Sequence, residues 1–161
     1  MRSGVYPAIL ILLLFAASGP GCLGNTGANK NPVYEPVPLA VELHGKGLDA
    51  YVNGNFSEAL DLYNRSILVD PNYTVAWMDK GNALMRLNRS AEAIAAYDEV
   101  LGLESDLAIV WNNRGEAFMA LGNYSAAIKS FDQAIRLEPD FTKAKENRDL
   151  AITRENENPN V

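Results

Sequence analysis

The sequence predicts an all-α protein made of stacked helical hairpins, and three observations carry that prediction. First, the phrase "GNFSEALDLY" at Gly54 returns as "GNYSAAIKSF" at Gly122, with a looser version, "NRSAEAIAAY", at Asn88 between them. The spacing sets a period of 34 residues, and a period of that length signals a repeat architecture. Second, small, aromatic and proline positions keep the step: Gly47, Gly81, Gly115; Ala59, Ala93, Ala127; Tyr63, Tyr97, Phe131; Pro71 and Pro139, with Ser105 in the middle copy. Third, each period holds two segments of helical apolar spacing, parted by residues that suit a turn.

The third unit, residues 108–141, shows the elements best. Ile109 to Leu121 reads as one helix and Ser125 to Leu137 as the next. Gly122 and Asn123 are suited to the left-handed conformation that stops a helix. Ser125 is the expected cap of the second helix, accepting from backbone N–H groups left free at its start. Pro139 lacks an N–H and ends the unit. Gly115 and Ala127 belong where the two helices approach most closely, with Phe131 and Trp111 beside the contact and Ala134 making room for a neighbour. Residues 40–73 and 74–107 repeat the plan. A single hairpin cannot bury its apolar face alone, so the units must stack. Residues 142–155, with Ala144 and Leu150 on one side and charges elsewhere, read as a capping helix, and 156–161 as a frayed tail.

The N-terminal residues have another composition. Arg2, the apolar run Ala8 to Ala17 and the small residues before Cys22 read as an export signal over residues 1–22. The run is too short to span a bilayer, which takes roughly 20 apolar residues. Residues 23–39, rich in Gly, Asn and Pro, read as a flexible tether. Charge narrows the function. With 14 basic against 20 acidic side chains, no basic cluster offers itself to a nucleic-acid backbone. One cysteine excludes an internal disulfide framework. The only histidine, His44, has no nucleophile suggested beside it, and "GKG" at Gly45 lacks the spacing of a phosphate loop. The expectation is therefore a protein without catalytic, metal or cofactor sites.

The pattern Trp111, Gly115, Phe118, Leu121-Gly122, Tyr124, Ala127, Phe131, Ala134, Pro139 resembles a tetratricopeptide repeat almost position for position. The second copy matches through Trp77, Gly81, Leu84, Ala93 and Tyr97, with Val100 for the small residue and Ser105 for proline. The first matches through Leu43, Gly47, Phe56, Ala59, Tyr63, Ser66 and Pro71. The resemblance implies a right-handed superhelix of three repeats and a capping helix, binding a protein or peptide in its concave groove. It also implies which residues line that groove: Val41, His44, Leu48 and Tyr51; Val75, Met78, Asn82 and Met85; Ile109, Asn112, Glu116 and Met119. The three methionines suit a surface that adapts to an apolar ligand, with Asn82 and Asn112 donating to its backbone. The alternative is that the stripe only packs neighbouring first helices together.

Some tetratricopeptide proteins hold the acidic C-terminus of heat-shock chaperones through a clamp of lysine, asparagine and arginine. His44, Met78, Val75 and Ile109 stand at the corresponding places here, with Asn113 and Lys143 as isolated matches, so that subclass is not expected. Gly21-Cys22 resembles the lipobox of prokaryotic lipoproteins, whereas Gly19 and Pro20 depart from it; the resemblance implies lipidation at Cys22, against an ordinary cleavage site or a retained anchor. Five N-glycosylation sequons, at Asn55, Asn64, Asn72, Asn88 and Asn123, exceed the roughly one that chance composition gives. Asn64 and Asn72 have no role in a turn phrase and are expected to be exposed. The expected setting is the outer face of a prokaryotic, and in particular an archaeal, cell membrane. The expected role is an interaction scaffold, or else an assembly component of the envelope.

Overall fold

The structure, a computed structural model, describes residues 34–157. The expected export signal with Cys22, the expected tether as far as residue 33 and residues 158–161 lie outside the described residues. Seven helices follow one another among the described residues: α1 (Pro38–Val52), α2 (Phe56–Val69), α3 (Thr74–Arg86), α4 (Ser90–Leu103), α5 (Ala108–Ala120), α6 (Tyr124–Leu137) and α7 (Thr142–Glu157). Each packs on the next, and α1, α3, α5 and α7 also touch one another in turn. The odd-numbered helices therefore form one continuous wall.

The recurring phrase is the hairpin turn. Gly54 and Gly122 have φ of 80° and 74°, and Asn88 takes the same left-handed role with φ of 58°. Around each, two backbone bonds close the helix end: Asn55 N to Ala50 O, Arg89 N to Leu84 O and Asn123 N to Phe118 O, each paired with a bond from the left-handed residue itself. This is the Schellman arrangement, which only glycine or asparagine enters without strain. Its last residue is at once the N-cap of the following helix. Asn123, not Ser125, thus caps α6, its Oδ1 accepting from Ala126 N at 3.1 Å, and the helix starts at Tyr124. The turn is too tight to leave Ser125 outside the helix.

The small residues sit where predicted. A Cβ on Gly47, Gly81 or Gly115 would overlap the ring of Tyr63, Tyr97 or Phe131 respectively. Those three rings are almost wholly buried, as are Ala59, Ala93 and Ala127 at the same crossings. Burying each ring is worth about 1.5–3 kcal/mol, gained only because glycine lets the backbone come close. Trp77 Nε1 donates to Pro71 O at 2.9 Å and Trp111 Nε1 to Ser105 O at 3.0 Å. The serine thereby keeps the carbonyl that proline presents in the first copy.

Two terminal expectations are corrected. The tether does not extend to residue 39. Tyr34 Oη and Val37 N both donate to Asp70 Oδ2, at 2.5 and 2.9 Å, and Pro38 begins α1, where a missing N–H is harmless. At the other end Ala144 is buried, but its partner is Ala151 and not Leu150, which is exposed. Seven residues complete two helical turns and return to the same face, whereas six do not. Helix α7 also runs through residues 156 and 157, which were expected in the tail.

Candidate groove

The wall of odd-numbered helices carries the predicted stripe. Val41, Leu48, Val75 and Ile109 are exposed on it. Val41, Val75 and Ile109 stand exactly one repeat apart, so they form a row of branched apolar side chains, one per helix. Two hollows open along the wall. One, of about 170 Å³, is lined by Tyr51, Asn82, Met85 and Glu116 of the stripe, together with Arg86, Tyr97 and Asn113. The other, of about 220 Å³, lies between α3, the end of α4 and the start of α5, with Val75, Met78 and Ile109 of the stripe joined by Thr74, Val100, Glu104 and Leu107.

Other stripe residues serve the stack. Met78 and Met85 are half-buried against the central core cluster, and Met119 packs beside Phe118 and Ile128 on the last one. Packing and groove lining are thus combined in Met78 and Met85. Asn112 is the clearest correction, being 0% exposed. Its Nδ2 donates to Glu116 Oε1 at 2.9 Å and its Oδ1 accepts from Asn147 Nδ2 at 3.1 Å. It has no face left for a ligand. Asn82 is half-buried, and its Oδ1 accepts from Tyr97 Oη at 2.9 Å and Asn113 Nδ2 at 3.3 Å, while Nδ2 donates to Asp79 at 3.2 Å. Only its second N–H is without a partner among the described residues.

The residues that sequence reasoning missed are Asp79 and Asn147, and it undervalued Asn113. They too stand one repeat apart, and each reaches back to the preceding odd helix. Asp79 Oδ2 lies 2.8 Å from His44 Nε2, Asn113 bonds Asn82, and Asn147 Nδ2 donates to Glu116 Oε1 at 3.0 Å. Lys143 Nζ meets the same Glu116 oxygen at 2.7 Å. Helix α7 therefore acts as a fourth wall of the groove as well as a cap. The signal was available as a polar residue recurring at the 34-residue step, one place after the stripe.

His44 is fixed rather than free. Its ring lies edge-on to Tyr73 at a centroid distance of 5.4 Å and tilted on Tyr63 at 5.5 Å. Burial, followed by the charge of Asp79, raises the pKa of both tyrosines, so their hydroxyls stay protonated. Tyr97 is raised chiefly by burial, and next by Glu116. Arg86 flanks the smaller hollow with its guanidinium 4.4 Å from the Phe56 ring centroid.

Of the sequons, Asn55, Asn72, Asn88 and Asn123 are exposed. Asn64 is half-buried, contrary to expectation, because it lies within α2 directly after the buried Tyr63. Among the described residues no group of three or more His, Cys, Asp or Glu could hold a metal ion, and no helix is long and apolar enough to cross a membrane.

Comparison with known proteins agrees with this architecture. The model of the tetratricopeptide repeat family matches residues 44–108, 78–140 and 112–148. A 74-residue stretch, 46% of this chain, is 42% identical to the inactive TPR repeat-containing thioredoxin TTL3 of Arabidopsis thaliana, and spans 9% of that protein. Among solved structures, the first TPR domain of Spaghetti (RPAP3) bound to the HSP90 peptide SRMEEVD is similar, with a TM-score of 0.71 at 24% identity, over 76% of this chain and 97% of that one. The Sgt2 TPR domain from Aspergillus fumigatus gives 0.71 at 19% identity, over 78% and 83%. The second TPR domain of human RPAP3, in complex with the HSP70 peptide SGPTIEEVD, gives 0.69 at 20% identity, over 71% and 95%. At these identities the likeness is one of fold. The row of glycine-on-aromatic crossings and the family match over most of the described residues lead to one conclusion: this chain belongs to the tetratricopeptide repeat family.

Proposed function

We propose that the chain is an exported, membrane-tethered, non-enzymatic scaffold that grips a protein or peptide in the groove of its odd-numbered helices. The observation that carries the groove reading is the exposed row Val41, Val75 and Ile109, one apolar residue per helix, of which Val75 and Ile109 line the larger hollow. Apolar side chains left open in register along a concave wall suit an extended or amphipathic partner. RPAP3 domains of the same fold are bound to peptides ending in EEVD. An acidic end of that kind does not suit this groove, whose polar centre holds Asp79 and Glu116, each already occupied by its own cation or imidazole.

Export and tethering rest on the apolar run Ala8 to Ala17 and on Cys22. Lipid labelling of cells making the chain tests this, and Cys22→Ser should abolish incorporation. Glycans are proposed at the exposed Asn55, Asn72, Asn88 and Asn123; Asn64, half-buried in α2, is the poorest acceptor. A gel mobility unchanged by deglycosylation would remove them. A second reading, an assembly part of the envelope, is favoured by Leu103 and Leu137, exposed one repeat apart near the ends of α4 and α6. Sedimentation of the full chain separates the two. A monomer supports an open groove, whereas oligomers that dissociate on changing Leu103 and Leu137 to serine support assembly through those exposed helix ends.

A further inference from the structure

The larger hollow falls where two positions of the repeat change side chain. Tyr73, Leu107 and Phe141 occupy the same position in successive units, just before α3, α5 and α7. In the first unit the Tyr73 ring covers His44. In the second the partners are Leu107 and Met78, both smaller in cross-section, and the space they leave is the apolar hollow of about 220 Å³ with Val75 and Ile109 at its mouth. Small-molecule pockets run to about 300–1,000 Å³, so this one suits a single large side chain. Its rim is acidic. Glu104 lines it and accepts from Thr74 Oγ1 at 2.7 Å, and Asp106, outside the lining but adjacent in the chain to the lining residue Leu107, is exposed as Glu104 is. Among the described residues neither carboxylate has an ion-pair partner, in contrast to Asp79 and Glu116.

Resting on the groove reading above, we infer that the hollow bounded by Val75, Met78, Leu107 and Ile109 is an anchor pocket for one bulky apolar side chain of an extended peptide, followed by basic residues that meet Glu104 and Asp106. An extended chain advances about 3.3 Å per residue and Glu104 lines the hollow itself, so a long basic side chain two or three places after the anchor can reach back to that carboxylate. The charge preference is opposite to that of an EEVD peptide. A cation meeting unpaired carboxylates at an exposed rim gains modestly and in a salt-dependent way, and the apolar anchor supplies most of the affinity.

The test uses the full chain and fluorescein-labelled heptapeptides SGFSKKS, SGASKKS and SGFSEES, read by anisotropy and by methyl NMR of Met78 and Met85. SGFSKKS should bind roughly tenfold or more tighter than SGASKKS, the range a hydrophobic pocket discriminates. SGFSEES should bind more weakly than SGFSKKS, by a margin that shrinks in salt. Leu107→Tyr introduces the residue that the first unit already accommodates, and should reduce SGFSKKS to the level of SGASKKS at an unchanged helical signal. Ile109→Ala, at an exposed position, should weaken SGFSKKS if the tyrosine variant fails to fold. Equal binding of the Phe and Ala peptides, equal binding of the acidic peptide, or a preference that survives Leu107→Tyr overturns the inference. If the peptides shift Met85 but not Met78, the groove reading stands and the anchor pocket falls. If they shift neither, both fall.

Discussion

Tyr63, Tyr97 and Phe131 share one position of the repeat and differ only in what becomes of the hydroxyl. Tyr97 Oη donates to Asn82 at 2.9 Å. Tyr63 Oη is buried with no partner among the described residues. Phe131 has none to place. A buried polar group without a partner forfeits its hydration, whereas a paired one contributes about 0.5–1.5 kcal/mol. Tyr63→Phe should therefore leave stability unchanged or raise it by up to about 1 kcal/mol, and Tyr97→Phe should lower it by about 1 kcal/mol. Denaturant midpoints of the two variants decide the matter, and equal losses would refute the distinction. At this scale the sequence was readable where a residue's size was at issue. Gly47, Gly81 and Gly115 had to meet rings, because nothing larger than hydrogen fits. It was not readable where orientation decides: Asn112 and Asn82 have the same composition and similar places in the stripe. One is buried by Asn147 and the other is partly open, and that depends on which neighbour's amide points inward.

Each helix was legible through its period and its stop signals, while the helix ends were not. The Schellman turns explain why: one residue, Asn55, Arg89 or Asn123, both closes one helix and stands at the N-cap of the next, which linear inspection counts as two separate residues. Likewise Leu150 seemed core by composition, but the seven-residue return from Ala144 selects Ala151. The start of α1 was missed because its anchor is remote in sequence. Asp70, the C-cap of α2, accepts from the Tyr34 hydroxyl and from Val37 N, and these hydrogen bonds hold its pKa below the ordinary 3.8. A depressed carboxylate stabilises the fold above its unfolded pKa and loses that contribution as pH falls through the folded value. The chain should thus lose stability below about pH 4, with the first turn of α1 released earliest. Asp70→Asn, which keeps the shape but not the charge, should destabilise at neutral pH and flatten the acid limb. Thermal midpoints of both proteins between acid and neutral pH measure it, and parallel profiles would exclude Asp70 as the cause.

The seven described helices form a nearly one-dimensional array, since each packs mainly on its neighbours in sequence. Stability in such an array is close to a sum of unit and interface contributions, and the ends have only one interface each. The central cluster is the richest, joining Leu60, Leu84, Tyr97, Val100 and Val110 across α2 to α5. The last cluster holds only Ala127, Phe131 and Ala151 as buried members, and α7 contributes little besides alanines. Amide exchange should accordingly be slowest in α3 and α4 and fastest in α7 and the first turn of α1. Helix α7 nevertheless brings α5 partners from outside it: Asn147 for Asn112, and Lys143 for Glu116. Deleting residues 142–161 should uncover Phe131 and open Asn112 to water, so that its Oδ1 exchanges the bond from Asn147 for solvent, a loss of about 0.5–1.5 kcal/mol for that bond. Protection should then fall in α5 and α6 while α1 and α2 keep theirs. A uniform fall across all six remaining helices would instead mean that the three hairpins unfold as a single unit, and the picture of separable repeats sharing a groove would have to give way to one indivisible core.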